Sequence, residues 1–408
     1  MAKERERQTR KDQKGRILKK GEGQDKNGRY YYVYVDASGK RKRIYNMDLI
    51  ELRETEQAIQ RDIKDGIDIN TAKRTLNEQF AIYLATKEIR NTTKADYMSL
   101  WNRCVKDDIG KRKLINIKKS DLQIFFKKLS DKGYSNNTIK MYCNNLIHPT
   151  LELALDDDII RKNPAKGCMK EYNSGSKTKD ALTVAEQQSF LEYVENSKTF
   201  DIYYPLFTVM FSTACRCGEI IGLTWNDIDF KSGYISINHQ LVYKNCGGGC
   251  KFYCAEPKTE SGKREIPITK KCCKALIRQK EIQMSLGIDH HKQTAGLSNF
   301  VFTTSNSTPY MPTSINNLLK NIVNQYNRKE EESAKKEKRC AHLLPHISCH
   351  SFRHTGCTRL AENNIDPKTL QEFMGHADIS VTMNVYNHVD KDRMKRELEK
   401  AELKSGII

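Results

Sequence analysis

Residues 374–389 read MGHADISVTMNVYNHV, and this stretch near the end of the chain is the most informative guide to the fold. His376 follows a predicted helix over residues 367–373, and Tyr386 comes later in the same stretch. Imidazole and phenol groups are suited to proton transfer and to nucleophilic attack, respectively. The stretch therefore predicts a reactive tyrosine, and the basic residues that precede it indicate its target.

Arg216 lies between an apolar helix and the start of the next, in the sequence CRCGE (residues 215–219). An arginine there can bind two phosphate oxygens through its planar guanidinium group. Glu219, one helical turn later, can hold that group in place. Taken alone, the two residues fit an ordinary ion pair on the surface better than a phosphate site.

Lys258 opens the sequence KTESGKREIP (residues 258–267), which we interpret as a turn that leads into a strand. A lysine at the tip of a hairpin can reach into a DNA groove and donate a proton to a departing 5′ oxygen. A solvated turn lysine explains the same residue when it is considered alone.

His350 and Arg353 are three residues apart in a predicted helix. This spacing puts both side chains on one helix face, so both can point at the same phosphate. Together with Arg216, Lys258 and His376, they form a basic set able to hold a phosphodiester. No other set in the chain assigns so many residues to one reaction.

The first 45 residues carry 15 Lys and Arg against 6 Asp and Glu, a net charge of +9. Runs of β-forming residues at 16–20, 29–35 and 41–45 predict a small basic sheet, closed by a helix over 49–65. We interpret this end as a DNA-facing arm, with a solvated basic tail as the alternative. The candidate DNA contacts are Arg16, Lys19, Lys20, Arg29, Tyr30, Tyr32, Lys40, Arg41, Lys42 and Arg43.

The rest of the chain reads as two further segments. Residues 75–165 predict four or five helices, which fit either a clamp on a duplex or an ordinary bundle. After a Gly/Ser/Lys stretch at 173–177, a capping box at 183–186 opens a third segment. This segment contains several helices and a strand pair around 234–243 and 264–268. The predicted domains are residues 1–70, 75–170 and 178–408.

The composition limits the classes of partner. A formal net charge of +19 favours a polyanion, although charge alone does not separate nucleic acid from an anionic membrane surface. Apolar stretches are broken by charge well short of the roughly 20 residues that a spanning helix needs, and the N-terminus has no apolar signal core. The 13 cysteines are scattered in a Lys/Glu-rich chain, so we expect mostly reduced thiols in a cytosol.

Cys246, Cys250 and Cys254 form a local cluster, with the pair 272–273 downstream. Zinc is one interpretation, but the spacing is unlike common zinc knuckles and no histidine pair stands nearby. We favour a glycine-rich tip on an extended β-hairpin that touches DNA or a neighbouring protomer. We predict neither a metal nor a cofactor.

The ordered pattern R…K…HxxR…[LM]GH…Y, with the lysine in a KTxxSxRxIP context, resembles the tyrosine recombinase (phage integrase) family. The likeness covers nearly the whole chain and is nearest to integrases of conjugative transposons. It implies a multidomain α+β fold. The implied parts are a small N-terminal three-stranded sheet plus helix, a helical core-binding domain, and a mainly α catalytic domain with a small antiparallel sheet.

The resemblance implies a site-specific recombinase in which Tyr386 attacks the scissile phosphate and forms a 3′-phosphotyrosine. Arg216 and Arg353 would stabilise the pentacoordinate state, His376 would donate a further hydrogen bond, and Glu219 would support Arg216. Covalent storage of the bond energy would make ATP and metal ions unnecessary.

The same resemblance implies that Lys258 protonates the leaving oxygen and that His350 assists proton removal from the tyrosine. The implied partners are double-stranded DNA at arm-type and core-type sites, further protomers in a recombination tetramer, and an excisionase accessory protein. The expected location is the bacterial cytoplasm. A type IB-like topoisomerase and a catalytically inactive DNA-binding regulator are the alternatives.

Overall fold

The structure is a computed structural model in which the chain divides into two compact units, Met1–Lys177 and Thr178–Ile408. Each unit has its own hydrophobic core. Within the described residues, no helix combines the length and the apolar character that crossing a membrane requires. The structure describes residues 10–36, 39–64, 74–172, 181–246, 248–257 and 259–386.

The first unit begins with a three-stranded antiparallel sheet and a helix. The sheet has the order β1-β2-β3, with β2 in the middle. Its apolar face packs against the helix around Tyr30, Tyr32, Leu49 and Leu52. The predicted sheet plus helix is thereby confirmed. The elements are β1 (Glu22–Gln24), β2 (Tyr30–Val35), β3 (Arg41–Asn46) and α1 (Leu49–Lys64).

The first strand differs from the prediction, because β1 begins after residues 16–20 rather than within them. The predicted segment makes only an isolated bridge between Ile17 and Lys11. Gly23 of β1 crosses the ring of Tyr31, where an added Cβ would lie 2.2 Å from the ring carbon Cζ. Position 23 therefore needs a glycine. Because glycine is depleted in strands, its presence gives a poor signal for one.

Helices form the rest of the first unit. Their core is apolar, and the rings of Phe80 and Trp101 stack in it with centroids 3.7 Å apart. Two of the helices continue through π-helical turns, Trp101–Val105 and Tyr142–Ile147. The α-helices are α2 (Leu76–Thr86), α3 (Asn91–Leu100), α4 (Lys119–Asp131), α5 (Asn136–Met141) and α6 (His148–Asp156).

The second unit is mainly helical. Its core includes a group of aromatic rings, among them Phe207 and Phe352, which stack with centroids 5.5 Å apart. The helices are α7 (Val184–Glu195), α8 (Tyr204–Thr213), α9 (Cys217–Gly222), α10 (Lys270–Ser285), α11 (Pro312–Glu337), α12 (Cys349–Glu362), α13 (Pro367–Met374) and α14 (Ile379–Tyr386).

Short strands lie between α9 and α10. They form a three-stranded antiparallel sheet of order β4-β5-β8 and a separate hairpin of β6 and β7. The strands are β4 (Ile228–Asp229), β5 (Tyr234–Ile237), β6 (Gln240–Asn245), β7 (Cys250–Ala255) and β8 (Arg264–Pro267).

The predicted strand over 234–243 is thus two strands with different partners. Ile235 of β5 lies opposite Ile266 of β8, whereas Tyr243 of β6 lies opposite Phe252 of β7. Between the two strands, His239 is hydrogen-bonded through Nε2 to the carbonyl of Gly222, 2.7 Å away.

The cysteine-rich sequence forms the β6–β7 hairpin. Cys250 lies opposite Asn245, and Cys254 lies opposite Leu241. Among the residues for which positions are given, no group of three or more His, Cys, Asp or Glu side chains is arranged to hold a metal ion.

Candidate active site

The turn between α8 and α9 positions the first candidate residue. Helix α8 ends at Thr213, and its C-cap residue, Ala214, adopts the left-handed conformation with φ of +49°. Two residues later, Arg216 is the N-cap of α9. Gly356 of α12 meets this turn closely, since an added Cβ would lie 2.9 Å from the Cβ of Ala214. The close approach brings α12, which carries Arg353, next to Arg216.

Glu219 holds Arg216 in two ways. The backbone N–H of Arg216 donates to one carboxylate oxygen at 2.8 Å, and the guanidinium Nη1 donates to the other at 2.8 Å. The glutamate side chain is 3% exposed and the arginine side chain is 39% exposed. The predicted support by Glu219 therefore has a geometric basis, and the guanidinium remains accessible to a ligand.

Arg264, the first residue of β8, is a part of the site to which sequence reasoning gave no role. Its side chain is 5% exposed and pairs with the buried Glu219 carboxylate at 3.0 Å. Its Nε also donates to the carbonyl of Phe373 at 2.8 Å. Burial alone would raise the pKa of Glu219, but Arg264, with help from Arg216, lowers it to about 2. The carboxylate is therefore ionised at neutral pH and binds two guanidinium groups.

Arg353 is almost completely buried, with 7% of its surface exposed. It donates to the carbonyls of Ala214 at 3.0 Å and of Met374 at 2.7 Å. Burial and the nearby positive charge of Arg216 lower its pKa to about 10. The guanidinium is still charged at neutral pH. The negative charge of a phosphate would offset both the cost of burying this cation and its repulsion by Arg216.

Arg216, Arg264 and Arg353 all donate hydrogen bonds to the C-terminal end of helix α13. The last carbonyls of a helix lack partners within it and need donors from elsewhere. Here three consecutive carbonyls receive them, and the helix stops at Gly375 with φ of +61°. An added Cβ on Gly375 would lie 2.9 Å from the Ser261 carbonyl. The acceptors and donors are Phe373 with Arg264, Met374 with Arg353, and Gly375 with Arg216 at 3.3 Å.

His376 follows directly after this helix end. Its Nδ1 is 2.9 Å from the hydroxyl of Thr382, which is fully buried on α14. Burial lowers the pKa of His376, and the charges of Arg353 and Arg216 contribute, so that it is about 4. The imidazole is therefore neutral at pH 7 and can donate a hydrogen bond through only one nitrogen.

His350 is exposed and lies one turn before Arg353 on α12. A cavity of about 850 Å³ opens there, and its walls include His350, Arg353, His354, His376 and Asn384. The predicted HxxR face and the predicted GH histidine thus line one space. The cavity is large enough for a phosphate and its flanking sugars.

Tyr386 is the last described residue and ends α14. Its side chain is 7% exposed, and its hydroxyl donates a hydrogen bond to the carbonyl of Ile365. The ring belongs to an apolar cluster with Ala214 and Met374, the two residues whose carbonyls hold Arg353. In this state the tyrosine hydroxyl is bound to the protein backbone.

Lys258 lies outside the described residues. The adjacent Thr259 and Ser261 exchange a side-chain hydrogen bond of 3.0 Å before β8 begins.

The candidate DNA contacts of the N-terminal sheet fall on different surfaces. Tyr30 and Tyr32 lie in the small core, 3% and 7% exposed, so their side chains are not available to contact DNA in this structure. Arg16 forms an ion pair with Asp12 and bonds to the Tyr30 hydroxyl, which gives it a role in packing. The exposed or partly exposed candidates are Lys19, Lys20, Arg29, Lys40, Arg41, Lys42 and Arg43.

The outer face of the sheet also contains two aromatic residues that sequence reasoning missed. The Arg43 guanidinium lies over the Tyr31 ring at 4.5 Å, and that of Arg29 lies over the Tyr45 ring at 5.3 Å. The period-2 alternation along β2 and β3 is the signal that separates these outward rings from the buried ones.

Comparison with known proteins identifies the family. The description "Phage integrase family" matches residues 180–393, and "DNA binding domain of tn916 integrase" matches residues 6–63. The transposase from transposon Tn1545 of Streptococcus pneumoniae is 33% identical over 406 residues, which cover 96% of each protein. The chain belongs to the phage integrase family. It is a tyrosine recombinase, a site-specific enzyme that cuts and rejoins DNA, as the ordered motifs predicted.

Other relatives of this tyrosine recombinase agree. The transposase from transposon Tn916 of Enterococcus faecalis is 32% identical over 96% of each protein. The structure of the Tn1549 transposon integrase in complex with transposon right end DNA aligns with a TM-score of 0.70 and 30% identity, covering 80% of this chain and 99% of that one. A lambda integrase tetramer bound to a Holliday junction shares the fold, with a TM-score of 0.53, 17% identity, and coverage of 91% and 97%.

Proposed function

We propose that Tyr386 is the nucleophile of this recombinase and that the surrounding basic residues assist it. The convergence of Arg216, Arg353 and His376 on the end of α13, beside the helix that ends in Tyr386, supports this assignment most strongly. Guanidinium groups fixed before the substrate arrives stabilise developing negative charge without reorganisation. Glu219 would keep Arg216 in that orientation.

The proposed reaction begins when the Tyr386 oxygen attacks the scissile phosphorus. The bond from phosphorus to the 5′ oxygen breaks, and a 3′-phosphotyrosine and a 5′-hydroxyl remain. Lys258 would protonate the leaving oxygen, and His350 would assist removal of the tyrosine proton. Attack by a 5′-hydroxyl from another strand would reverse these steps and rejoin the DNA.

A nicked suicide substrate tests the nucleophile, because the fragment beyond the nick diffuses away and the covalent adduct accumulates. Tyr386→Phe should bind the substrate but form no SDS-resistant protein–DNA band. Tyr326→Phe is the matched control and should form the band at the wild-type rate. An SDS-resistant band in Tyr386→Phe would move the nucleophile to another residue.

We propose that the outer face of the N-terminal sheet binds arm-type DNA sites. Arg29, Arg41 and Arg43 are exposed there together with the rings of Tyr31 and Tyr45. Cationic groups supply phosphate contacts, and arginines stacked on aromatic rings are held ready for them. The match of residues 6–63 to the DNA-binding domain of the Tn916 integrase supports this assignment.

We infer that the helical segment 75–170 and the catalytic segment 178–408 together hold core-type DNA. The Tn1549 relative was captured with transposon end DNA and the lambda relative as a tetramer, so the proposed working form is a tetramer on DNA. The proposed substrates are the ends of a mobile element in the bacterial cytoplasm. An excisionase accessory protein would set the direction of the reaction.

A further inference from the structure

Arg264 uses every hydrogen-bond donor of its guanidinium group within the protein. A guanidinium group has five N–H bonds. Nε donates to the carbonyl of Phe373 at 2.8 Å, and the two Nη atoms donate to the two carboxylate oxygens of Glu219 at 3.3 and 3.0 Å. The other two N–H bonds are directed to the carbonyl of Gly262 at 3.2 Å and to the sulfur of Cys215 at 3.5 Å. With 5% of its side chain exposed, Arg264 has no donor left for DNA.

Arg216 shares the same carboxylate but is more open. Each oxygen of Glu219 accepts one hydrogen bond from Arg264 and one from Arg216. The Arg216 guanidinium gives the described part of the protein only two of its five donors, one to Glu219 and one to the carbonyl of Gly375. Its side chain is 39% exposed. The exposed arginine is therefore available to a phosphate, whereas the buried one bonds only to the protein.

We propose that Arg264 is a positioning residue for DNA cleavage: its charge neutralises Glu219, so that this carboxylate orients Arg216 without taking up the remaining donors of Arg216. This role rests on the proposed contact between Arg216 and the scissile phosphate. Arg264 itself touches no reacting atom. It acts through the carboxylate that both arginines share.

The physical reason is the charge balance of a buried carboxylate. Glu219 is 3% exposed, and an ionised carboxylate is costly to bury unless its charge is compensated. Without the charge of Arg264, Arg216 is the one cation still hydrogen-bonded to Glu219 among the described residues. The carboxylate then either binds a proton, which weakens its hold on Arg216, or draws the Arg216 guanidinium away from the phosphate.

The two protonation states of Glu219 make cleavage by such a variant depend on pH. Burial favours the protonated form of Glu219, but Arg264, with help from Arg216, holds its pKa at about 2 in the wild type. Without Arg264, burial raises this pKa above the ordinary value of 4.5. Lowering the pH then protonates Glu219 and releases Arg216. The variant should therefore lose cleavage activity towards acidic pH.

The stability of the variant should change with pH in the opposite direction. Between pH 4.5 and the raised pKa of Glu219, the folded variant binds more protons than its unfolded chain. Its free energy of unfolding therefore falls as the pH rises. General damage to the fold would lower cleavage where the protein is least stable, whereas protonation of Glu219 lowers cleavage where the protein is most stable.

Other ionisable groups face Glu219 and Arg264. Arg353 on α12 and Cys215 before α9 have pKa values of about 10 and about 11, so neither titrates between pH 5.5 and pH 8. Burial and the nearby arginines lower the pKa of His376 to about 4, and removal of Arg264 raises it towards 6.5. His376 remains when Glu219 is also changed to glutamine, so a double variant separates the two groups.

The test compares variants of the full chain between pH 5.5 and pH 8. Two quantities are measured relative to the wild type at each pH: the rate of covalent adduct formation on the nicked suicide substrate, and the unfolding temperature by calorimetry without DNA. For Arg264→Gln, the relative rate should be roughly tenfold lower at pH 5.5 than at pH 8, since each pH unit below a pKa lowers the ionised fraction about tenfold. Its relative unfolding temperature should be higher at pH 5.5 than at pH 8.

Three further variants are the controls. Arg264→Lys loses the planar group but keeps the charge, so its relative rate and relative unfolding temperature should not change with pH. Arg264→Gln combined with Glu219→Gln has no carboxylate to titrate, and its relative rate should not fall towards pH 5.5. Arg278→Gln removes an arginine from an ion pair with Glu195 in the same unit, where the N–O distance is 3.3 Å, and should cleave at the wild-type rate.

A relative rate of Arg264→Gln that does not change with pH overturns the positioning role. So does a fall towards acidic pH that persists in the double variant or in Arg264→Lys. Arg216→Ala, measured in parallel, shows what has failed: if it cleaves slowly, only the role of Arg264 is wrong, and if it cleaves as the wild type does, the proposed function of Arg216 is wrong.

Folding of the variants decides the remaining case. If Arg264→Gln does not fold, the double variant should fold, because it removes both buried charges. Failure of both proteins to fold would mean that the hydrogen bonds of Arg264 are required rather than its charge, and this result also overturns the proposal.

Discussion

Thr382 contacts the proposed catalytic histidine, His376, from a buried position. If its hydroxyl donates to Nδ1 of His376, the imidazole proton is on Nε2, where it can be donated to the phosphate. Thr382→Val keeps the shape of the side chain and removes the hydroxyl. We expect adduct formation on the suicide substrate to slow roughly tenfold, less than the roughly 10²–10⁴-fold that a proton donor contributes, because the imidazole itself remains and only its orientation is lost.

Thr382→Ser is the matched variant, since it keeps the hydroxyl and removes only a methyl group. Its cleavage rate should stay near that of the wild type. Equal rates for Thr382→Val and Thr382→Ser would show that the hydroxyl does not control the histidine.

His376 also predicts how stability depends on pH. Its pKa is about 4 in the folded protein, against 6.5 for an ordinary histidine. The unfolded chain therefore binds more protons between these values, so the histidine favours folding fully above pH 6.5, and this contribution is lost as the pH falls towards 4. The unfolding temperature of the wild type should fall more between pH 7 and pH 5 than that of His376→Asn. Parallel curves in calorimetry would contradict the low pKa.

At the scale of elements, the C-terminal end of α13 and strand β8 meet with no space for a side chain. Gly375→Ala would place a methyl group 2.9 Å from the Ser261 carbonyl and 3.1 Å from the Arg264 guanidinium, at φ of +61°. We expect a lower unfolding temperature and a cleavage rate reduced at least tenfold, because the arginines and His376 are displaced together.

Gly287→Ala separates the two causes of that loss. Gly287 has a nearly identical φ of +62°, but nothing lies within 4 Å of an added Cβ. The free energy of unfolding of Gly287→Ala should fall only by the cost of the left-handed conformation, roughly 1–2 kcal/mol, and the variant should cleave DNA normally. Equal losses in the two variants would mean that the crowding at Gly375 has no effect.

The elements show what the sequence was able to predict. Helix starts with capping signals, such as Thr183 before α7, are where the sequence predicted them, because the caps are local. Strand β1 was misplaced, because the glycine that the ring of Tyr31 on the neighbouring strand β2 requires leaves no local signal. The ordered motifs around the proposed catalytic residues were informative, because the reaction requires particular side chains and their identity can be read directly from the sequence.

The role of Arg264 could not be read in the same way. Its position two residues before the buried Ile266 indicates an inward side chain on a strand, which is an available signal. Its partners are the carboxylate of Glu219 on α9 and a backbone carbonyl of α13. Carbonyl positions depend on where helices end in space, and no residue type marks them.

For the whole molecule, the division of charge predicts separable functions. Removal of residues 1–70 should abolish binding to arm-type sites, because the basic outer face of the sheet is lost. Cleavage of a core-site suicide substrate should remain measurable, since all residues of the proposed catalytic set lie after residue 177. Gel-shift and adduct assays on the truncated protein test both statements.

Arg43→Glu in the full chain provides the control for truncation. This single charge reversal leaves the sheet core intact and should weaken arm-site binding while the rate of core cleavage is unchanged. Loss of core cleavage in both proteins would show that the N-terminal end is not an independent module.

The convergence of three arginines on one helix end also restricts how the gene can change in length. One residue inserted within α13 would rotate its final carbonyls by roughly 100° and advance them by roughly 1.5 Å. Hydrogen bonds of 2.7 to 3.3 Å to side chains from three separate elements cannot all follow such a shift. We therefore expect the exposed positions of this helix to accept other residue types, and we expect insertions and deletions to be tolerated only elsewhere, for example at the tip of the β6–β7 hairpin.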